Sequence, residues 1–294
     1  MSIDLSLLPS PDVVEPLDVE TIFDEMLADL IERLPEFTAL VESDPAYKLL
    51  EVAAYREMLL RQRINDAARA VMVAYATGAD LDNVAAKFNV TRLVVEAGNP
   101  DASPPVLPTL EDDERLRRRV PLAFESLSTA GPVGSYVFHA LAASGEVKDV
   151  SATSPTPGDV IISVLSTKDD GAAADALIAA VALKLNDEDV RPLSDRPVVQ
   201  SAEIISYAID ASLTFYPGPD RGVILAAAVA AAESYVDKQH RIGYDVTLSG
   251  IYAALHQPGV HNVTLVSPAT DIAVSGIQAA YCTGVEVNDG GLDE

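Results

Sequence analysis

The stretch FHALAASGEVKDVSATSPTPGDVIISVLS, residues 138–166, decides how this chain is read. From Val147 to Ser154, and again from Asp159 to Ser166, apolar and polar side chains alternate around the turn Pro155-Thr156-Pro157-Gly158. A period of two on both sides of a Pro/Gly turn predicts a β-hairpin. The pattern returns in YAALHQPGVHNVTLVSPATDIAVSG, residues 252–276. Val147, Val150, Ser154 and Pro155 fall on Val260, Val263, Ser267 and Pro268 at a constant offset of 113, and Ala140 falls on Ala253. One deletion in the turn realigns the second strand. Each copy is expected to be a helix, a Gly- or Pro-marked break and a hairpin with the signature V-x-x-V-x-x-x-S-P.

Around these two copies the stretches 171–186 and 221–240 are Ala-rich and read as helices, with Thr247 to Gln257 a third. Arg191-Pro192 to Asp195 breaks the first. Val198 to Phe215 is strand-rich and ends in Tyr216-Pro217-Gly218-Pro219-Asp220, and the surface loop Tyr216–Gly222 could seat a partner. Helices on one face of a small sheet predict two α+β modules, over residues 129–204 and 205–294.

Residues 1–128 read as helical instead. In TIFDEMLADLIERL, Ile22, Met26, Leu30 and Leu34 recur every four residues with Leu27 and Ile31 beside them, and Pro35 ends or kinks that helix. Asp44-Pro45 then supplies an N-cap and a proline at the first helical position. From Tyr47 the chain runs without Gly or Pro to Gly78, a helix of about 30 residues against an average of roughly 11–12. Leu49, Ala53, Arg56, Leu60, Ile64, Ala67, Val71 and Ala74 step along one face, flanked by Arg61, Arg63 and Arg69. Such a helix either joins a bundle or another chain, or is a core helix with snorkelling arginines. Gly78 is expected to close it and Asp80 to cap LDNVAAKFNV, residues 81–90. Residues 97–109, with four prolines, read as a linker or an exposed loop. A further helix is expected in EDDERLRRRVPLAFESL, residues 111–127, with its arginine run 117–119 on a solvated or salt-bridged face.

The 294 residues include 45 Asp+Glu against 20 Lys+Arg, a formal charge of −25, and 49% are hydrophobic. That apolar fraction excludes a disordered chain, and that negative field argues against nucleic acid as a partner. The single cysteine forms no internal disulfide, which fits a reducing compartment. The start, MSIDLSLLPSPDVVEPLDVE, has no basic region followed by an apolar run, so no secretory signal is expected. The longest apolar run, Val223 to Ala232, is ten residues where a bilayer needs roughly 20, so no membrane partner is expected either.

Chemistry is hard to find. His256 and His261 are the only close histidines, and no cysteine cluster accompanies them, so no metal site is expected. Gly131-Pro132-Val133-Gly134 lacks the spacing of a phosphate-binding loop. Cys282 has no flanking base. Asp112-Asp113 and Asp169-Asp170 read as helix starts, and Asn186-Asp187-Glu188-Asp189 lacks calcium-loop spacing. No catalytic, cofactor-binding or metal-binding residue is assigned. Three classes remain: a structural assembly protein, a cytosolic enzyme with a site assembled between the α+β modules, and an acidic surface or fibre protein, disfavoured by the missing export signal.

Six blocks resemble the baseplate J family of contractile phage tails: residues 47–90, 127–141, 145–166, 185–204, 213–220 and 245–287. They are long and in order, and the resemblance extends over nearly the whole chain, from about residue 10 to its end. The resemblance implies a structural wedge protein of a phage, prophage or tailocin baseplate, with no catalytic residues and no cofactor. It implies pairing with a second wedge protein through a helical bundle, copies of itself in a ring around the hub and spike, and contact with sheath-initiating proteins. The ring would rearrange on sheath contraction, and assembly would take place in the bacterial host cytoplasm before the protein resides in the tail. On that reading the partner interface on the long helix is Leu49, Ala53, Leu60, Ile64, Ala67 and Val71.

Overall fold

The computed structural model describes residues 5, 8–9, 11–36, 41–128, 131–218 and 220–293, in two compact units. Pro219 and the expected module start at Thr129 lie outside the described residues. The fold is α+β, as the sequence predicts.

The first unit, residues up to Arg92 together with Asp112–Pro121, is helical. Its helices are α1 (Val19–Arg33), α2 (Pro45–Ala70), α3 (Gly78–Ala86) and the greater part of α4 (Asp113–Leu122). Asp18 caps α1 by accepting from the Glu20 N–H at 3.2 Å, and Asp44 caps α2 by accepting from Ala46 N–H at 2.8 Å. α1 and α2 pack against each other, with the Phe23 and Tyr47 rings 4.7 Å apart. Buried Asn65 holds the segment preceding α1: its Oδ1 accepts from the Glu15 N–H at 3.1 Å and its Nδ2 donates to the Glu15 carbonyl at 2.9 Å. Asn65→Leu removes both bonds and is expected to cost about 1–3 kcal/mol. Limited proteolysis should then cut ahead of α1 sooner than in the unchanged chain, with the helical circular dichroism retained.

α2 is 26 residues long and stops at Ala70, short of the expected end at Gly78. The cause lies about forty residues away. Arg117, on α4, donates to the carbonyls of Val73 at 2.9 Å and Ala76 at 2.7 Å, holding 71–77 as a turn. Gly78 therefore opens α3 instead of closing α2, with φ +52°, and its N–H donates to Asp113 Oδ2 at 2.9 Å. Thr77, rather than Asp80, occupies the cap position. Arg119 is buried and donates to the Thr91 carbonyl at 3.2 Å. Two members of the arginine run thus tie down backbone.

The second unit comprises Leu93–Glu111 and the chain from Leu122 onward. Its first part is a small arm. β1 (Val94–Glu96) pairs antiparallel with β2 (Thr109–Leu110), and Asn99 bridges Val106, so the proline-rich segment is an exposed closed loop. Then come α5 (Val133–Leu141), β3 (Val147–Thr153), β4 (Asp159–Ser166), α6 (Asp175–Leu185) and β5 (Arg196–Ser201). They are followed by β6 (Glu203–Phe215), α7 (Arg221–Gln239), α8 (Leu248–Leu255), β7 (Val260–Ser267) and β8 (Gln278–Leu292).

The strands form two three-stranded sheets, in the orders β3-β4-β5 and β7-β6-β8. In each, the central strand is antiparallel to the first neighbour and parallel to the last. The repeat is therefore real at the level of the sheet, but its halves are connected in opposite order. The first module runs helix–edge strand, then central strand–helix; the second runs central strand–helix, then helix–edge strand.

The hairpin expected in the first copy forms, with Val150 opposite Val164. In the second copy it does not. β6 already pairs with β7, Leu213 opposite Val263, and the following segment is drawn to the loop before α8. There Asp271 Oδ1 accepts from Leu248 N–H at 2.7 Å, and Val274 N–H donates to Asp245 Oδ1 at 2.7 Å. The chain then enters β8 on the far side of β6.

Alternation along β6 puts Ile209, Ala211, Leu213 and Phe215 on one buried face against Ile224, Ala228 and Ala232 of α7 and Ile251 and Leu255 of α8. Val160, Ile162 and Val164 of β4 do the same against Tyr136 and Ala140 of α5 and Leu177, Val181 and Leu185 of α6. Small alanines at 228 and 232 let α7 lie close to its sheet. A Cβ at Gly250 would strike the Tyr235 ring, so the approach of α8 to α7 requires glycine there.

Candidate assembly interface

α2 carries two apolar faces. One packs inward through Ala54, Met58 and Ala68, beside Asn65. The other lies roughly 110° around the helix at 100° per residue and is buried by none of the described residues. Leu49, Leu60, Ile64 and Val71 are 71%, 66%, 61% and 64% exposed. Ala53 and Ala67 are exposed between them. Five of these six lie within the helix, whereas Val71 is its C-cap.

Reading by steps of three and four missed that Val52, Tyr55 and Leu59 widen the exposed face. Their offset from the main stripe is visible in the sequence as a second, shifted run of apolar residues. Isolated exposed apolar side chains are ordinary, but a continuous row along about six turns is the pattern of an interaction surface.

The cations of α2 divide into two groups. Lys48 pairs with Glu51 at 2.9 Å, Arg61 with Glu57, and Arg69 with Asp66 at 3.9 Å. Arg56 and Arg63 lie on the apolar face, exposed, with no acidic partner among the described residues.

Where the two α+β modules meet, the arrangement is that of a joint. Asp149 Oδ2 accepts from Ile242 N–H at 3.1 Å, and Leu165, Ala202, Ile242 and Ala279 form a shared apolar cluster. Lys148 Nζ lies 3.2 Å from His240 Nδ1 and 3.0 Å from Asp237. A charged Lys148 ammonium can only donate, so it faces Nδ1 as an acceptor. Burial lowers the His240 pKa, and Lys148 lowers it further.

The unfolded imidazole thus takes up a proton below about pH 6.5 that the folded one refuses, so stability present at neutral pH is lost as pH falls. Burial and Lys184 act in the same direction on His139. Thermal unfolding should show a falling melting temperature from pH 7 to 5. His240→Gln should flatten that slope without abolishing it; an unchanged slope would contradict the assignment.

Among the described residues no three His, Cys, Asp or Glu side chains are grouped to hold a metal ion. No helix among the described residues is long and apolar enough to cross a membrane. Cys282 is half-buried on β8, its Sγ donating to the Gly284 carbonyl at 3.2 Å. Asp112 starts α4 by accepting from Arg115 N–H at 2.9 Å, whereas Asp169-Asp170 sits in a turn ahead of α6.

The Baseplate J-like N-terminal domain family matches residues 42–99, which take in α2, α3 and β1. The Baseplate J-like protein C-terminal domain family matches residues 207–288, most of the second α+β module. Baseplate protein J of Escherichia phage P2 is 50% identical over 299 residues, covering 99% of each chain. This chain belongs to the baseplate J family. Its open helix face thus falls inside the N-terminal family domain. Among solved structures, a chain of the six-fold symmetrised baseplate of the anti-feeding prophage aligns with a TM-score of 0.43 and 17% identity. The alignment covers 60% of this chain and 44% of that one, so the match spans less than half the length of that solved chain.

Proposed function

We propose that this protein is a structural, non-enzymatic subunit of a contractile-tail baseplate, a wedge protein whose α2 packs into a helical bundle with a second wedge protein. The carrying observation is the row of large aliphatic side chains left open on a helix whose other apolar face is already packed. Covering Leu49, Leu60, Ile64 and Val71 would contribute about 1.5–3 kcal/mol each, enough to favour association once ordering costs are met. Residues 1–128 make this wedge contact, and the modules at 129–204 and 205–294 meet neighbouring copies in a ring around the hub and spike. A ring that reopens when the sheath contracts is served by many modest polar contacts instead of one large apolar face. Assembly takes place in the bacterial cytoplasm. The test is tail assembly with Leu60→Asp or Ile64→Asp chains. No particles are expected, and normal particles would remove the bundle.

A further inference from the structure

The open face of α2 is apolar, but it is not only apolar. Arg56 and Arg63 are one heptad apart, within roughly 60° of Leu49 and Leu60 on the helical wheel. Both are exposed, and neither has an ion pair or side-chain hydrogen bond among the described residues. The other three cations of α2 each meet a carboxylate on the same helix. In a chain with 45 acidic and 20 basic residues, two adjacent unused arginines in the middle of an open apolar stripe form a local exception. The nearest acids on α2, Glu57 and Asp66, are already bonded to Arg61 and to Gln62 and Arg69.

We infer that this face selects an amphipathic partner helix bearing carboxylates about seven residues apart, placed to meet Arg56 and Arg63 inside the apolar seam. This rests on the bundle proposed above and adds the chemistry of its occupant. An arginine at a seam position loses water when the partner docks, and a planar guanidinium is matched by a carboxylate in bidentate geometry. A seam helix with apolar or basic residues at those two places would leave two desolvated charges unpaired, which is strongly unfavourable. The pairs therefore act mainly on which partner docks and in which register, while the aliphatic side chains supply the attraction. A second copy of α2, laid in parallel register, would place arginine against arginine.

The test uses full-length chains supplied to a tail-producing strain lacking its own copy. Arg56→Met/Arg63→Met, Arg56→Glu/Arg63→Glu and Arg56→Lys/Arg63→Lys are compared with Leu60→Asp for particle yield and for thermal unfolding of the free protein. The expected result is unchanged unfolding in all three double variants, since neither arginine has a described partner. Yield should fall about a hundred-fold for Met/Met, further for Glu/Glu, and stay within about ten-fold for Lys/Lys. Suppressors of Glu/Glu should map to acid-to-base changes on a helix of another baseplate protein.

Suppressors confined to this chain would make a second copy the occupant and overturn the inference. If Met/Met and Glu/Glu assemble normally while Leu60→Asp does not, the acidic partner is wrong and the bundle stands. If Leu60→Asp also assembles, both fall.

Discussion

Leu60→Asp is expected to leave the free protein folded and to abolish its incorporation into tails. Leu60 is 66% exposed in the isolated chain, so replacing it removes little packing there, and its melting temperature should stay within the range of an ordinary surface change, about 0.5 kcal/mol. In a closed bundle the same change forfeits about 2 kcal/mol of apolar burial and adds several kcal/mol for a desolvated carboxylate. The sum, about 5 kcal/mol, weakens association more than a thousand-fold. The new acid also stands four residues after Arg56 and three before Arg63, where it would draw both arginines onto its own helix. The measurement is particle yield beside a thermal melt of the free chain. A chain that melts early would mean Leu60 packs internally.

Phe215→Ala is expected to do the opposite. Phe215 is fully buried at the end of β6, beside Ile224 of α7 and Val260 of β7 in one core. Truncating it should cost about 3–5 kcal/mol through lost transfer energy and the cavity left behind. That is a large share of the roughly 5–15 kcal/mol that holds a domain folded, and it should lower the melting temperature by roughly 10 °C. Tail assembly would fail for this variant because the module fails. The pair of melts therefore separates loss of interface from loss of fold.

Much of the architecture is legible locally. Asp44-Pro45 marks the start of α2, and the alternation around Pro155–Gly158 yields the β3–β4 hairpin, because caps and turns are short-range chemistry. What is not legible depends on distant partners. Nothing near Ala70 says that α2 stops there; the turn after it is held by Arg117, and the backbone role of the arginine run is not legible locally because the carbonyls it serves lie 28 to 44 residues upstream. The V-x-x-V-x-x-x-S-P signature correctly places β7 in register with β3 but cannot show that β6 has already taken the pairing edge on which a hairpin would form. For the interface, periodicity finds the six stripe residues but does not decide between an internal core and an external contact. Only the packing of α1 on the other face of α2, with Ala54 and Asn65 buried, leaves the stripe open. The isolation of Arg56 and Arg63 is likewise a matter of which acids are already engaged, and composition alone carries no trace of it.

The central claim is that the outer face of α2 is open in the free subunit and covered in the assembled tail. Its most direct test places a cysteine at that face, Leu60→Cys in a Cys282→Ser background, and follows maleimide labelling of the free protein and of purified tails. Rapid labelling of the free chain with strong protection in the tail, ten-fold or more by a rough estimate, is the expected result. Equal labelling in both would show that α2 stays open in the particle and would contradict the bundle.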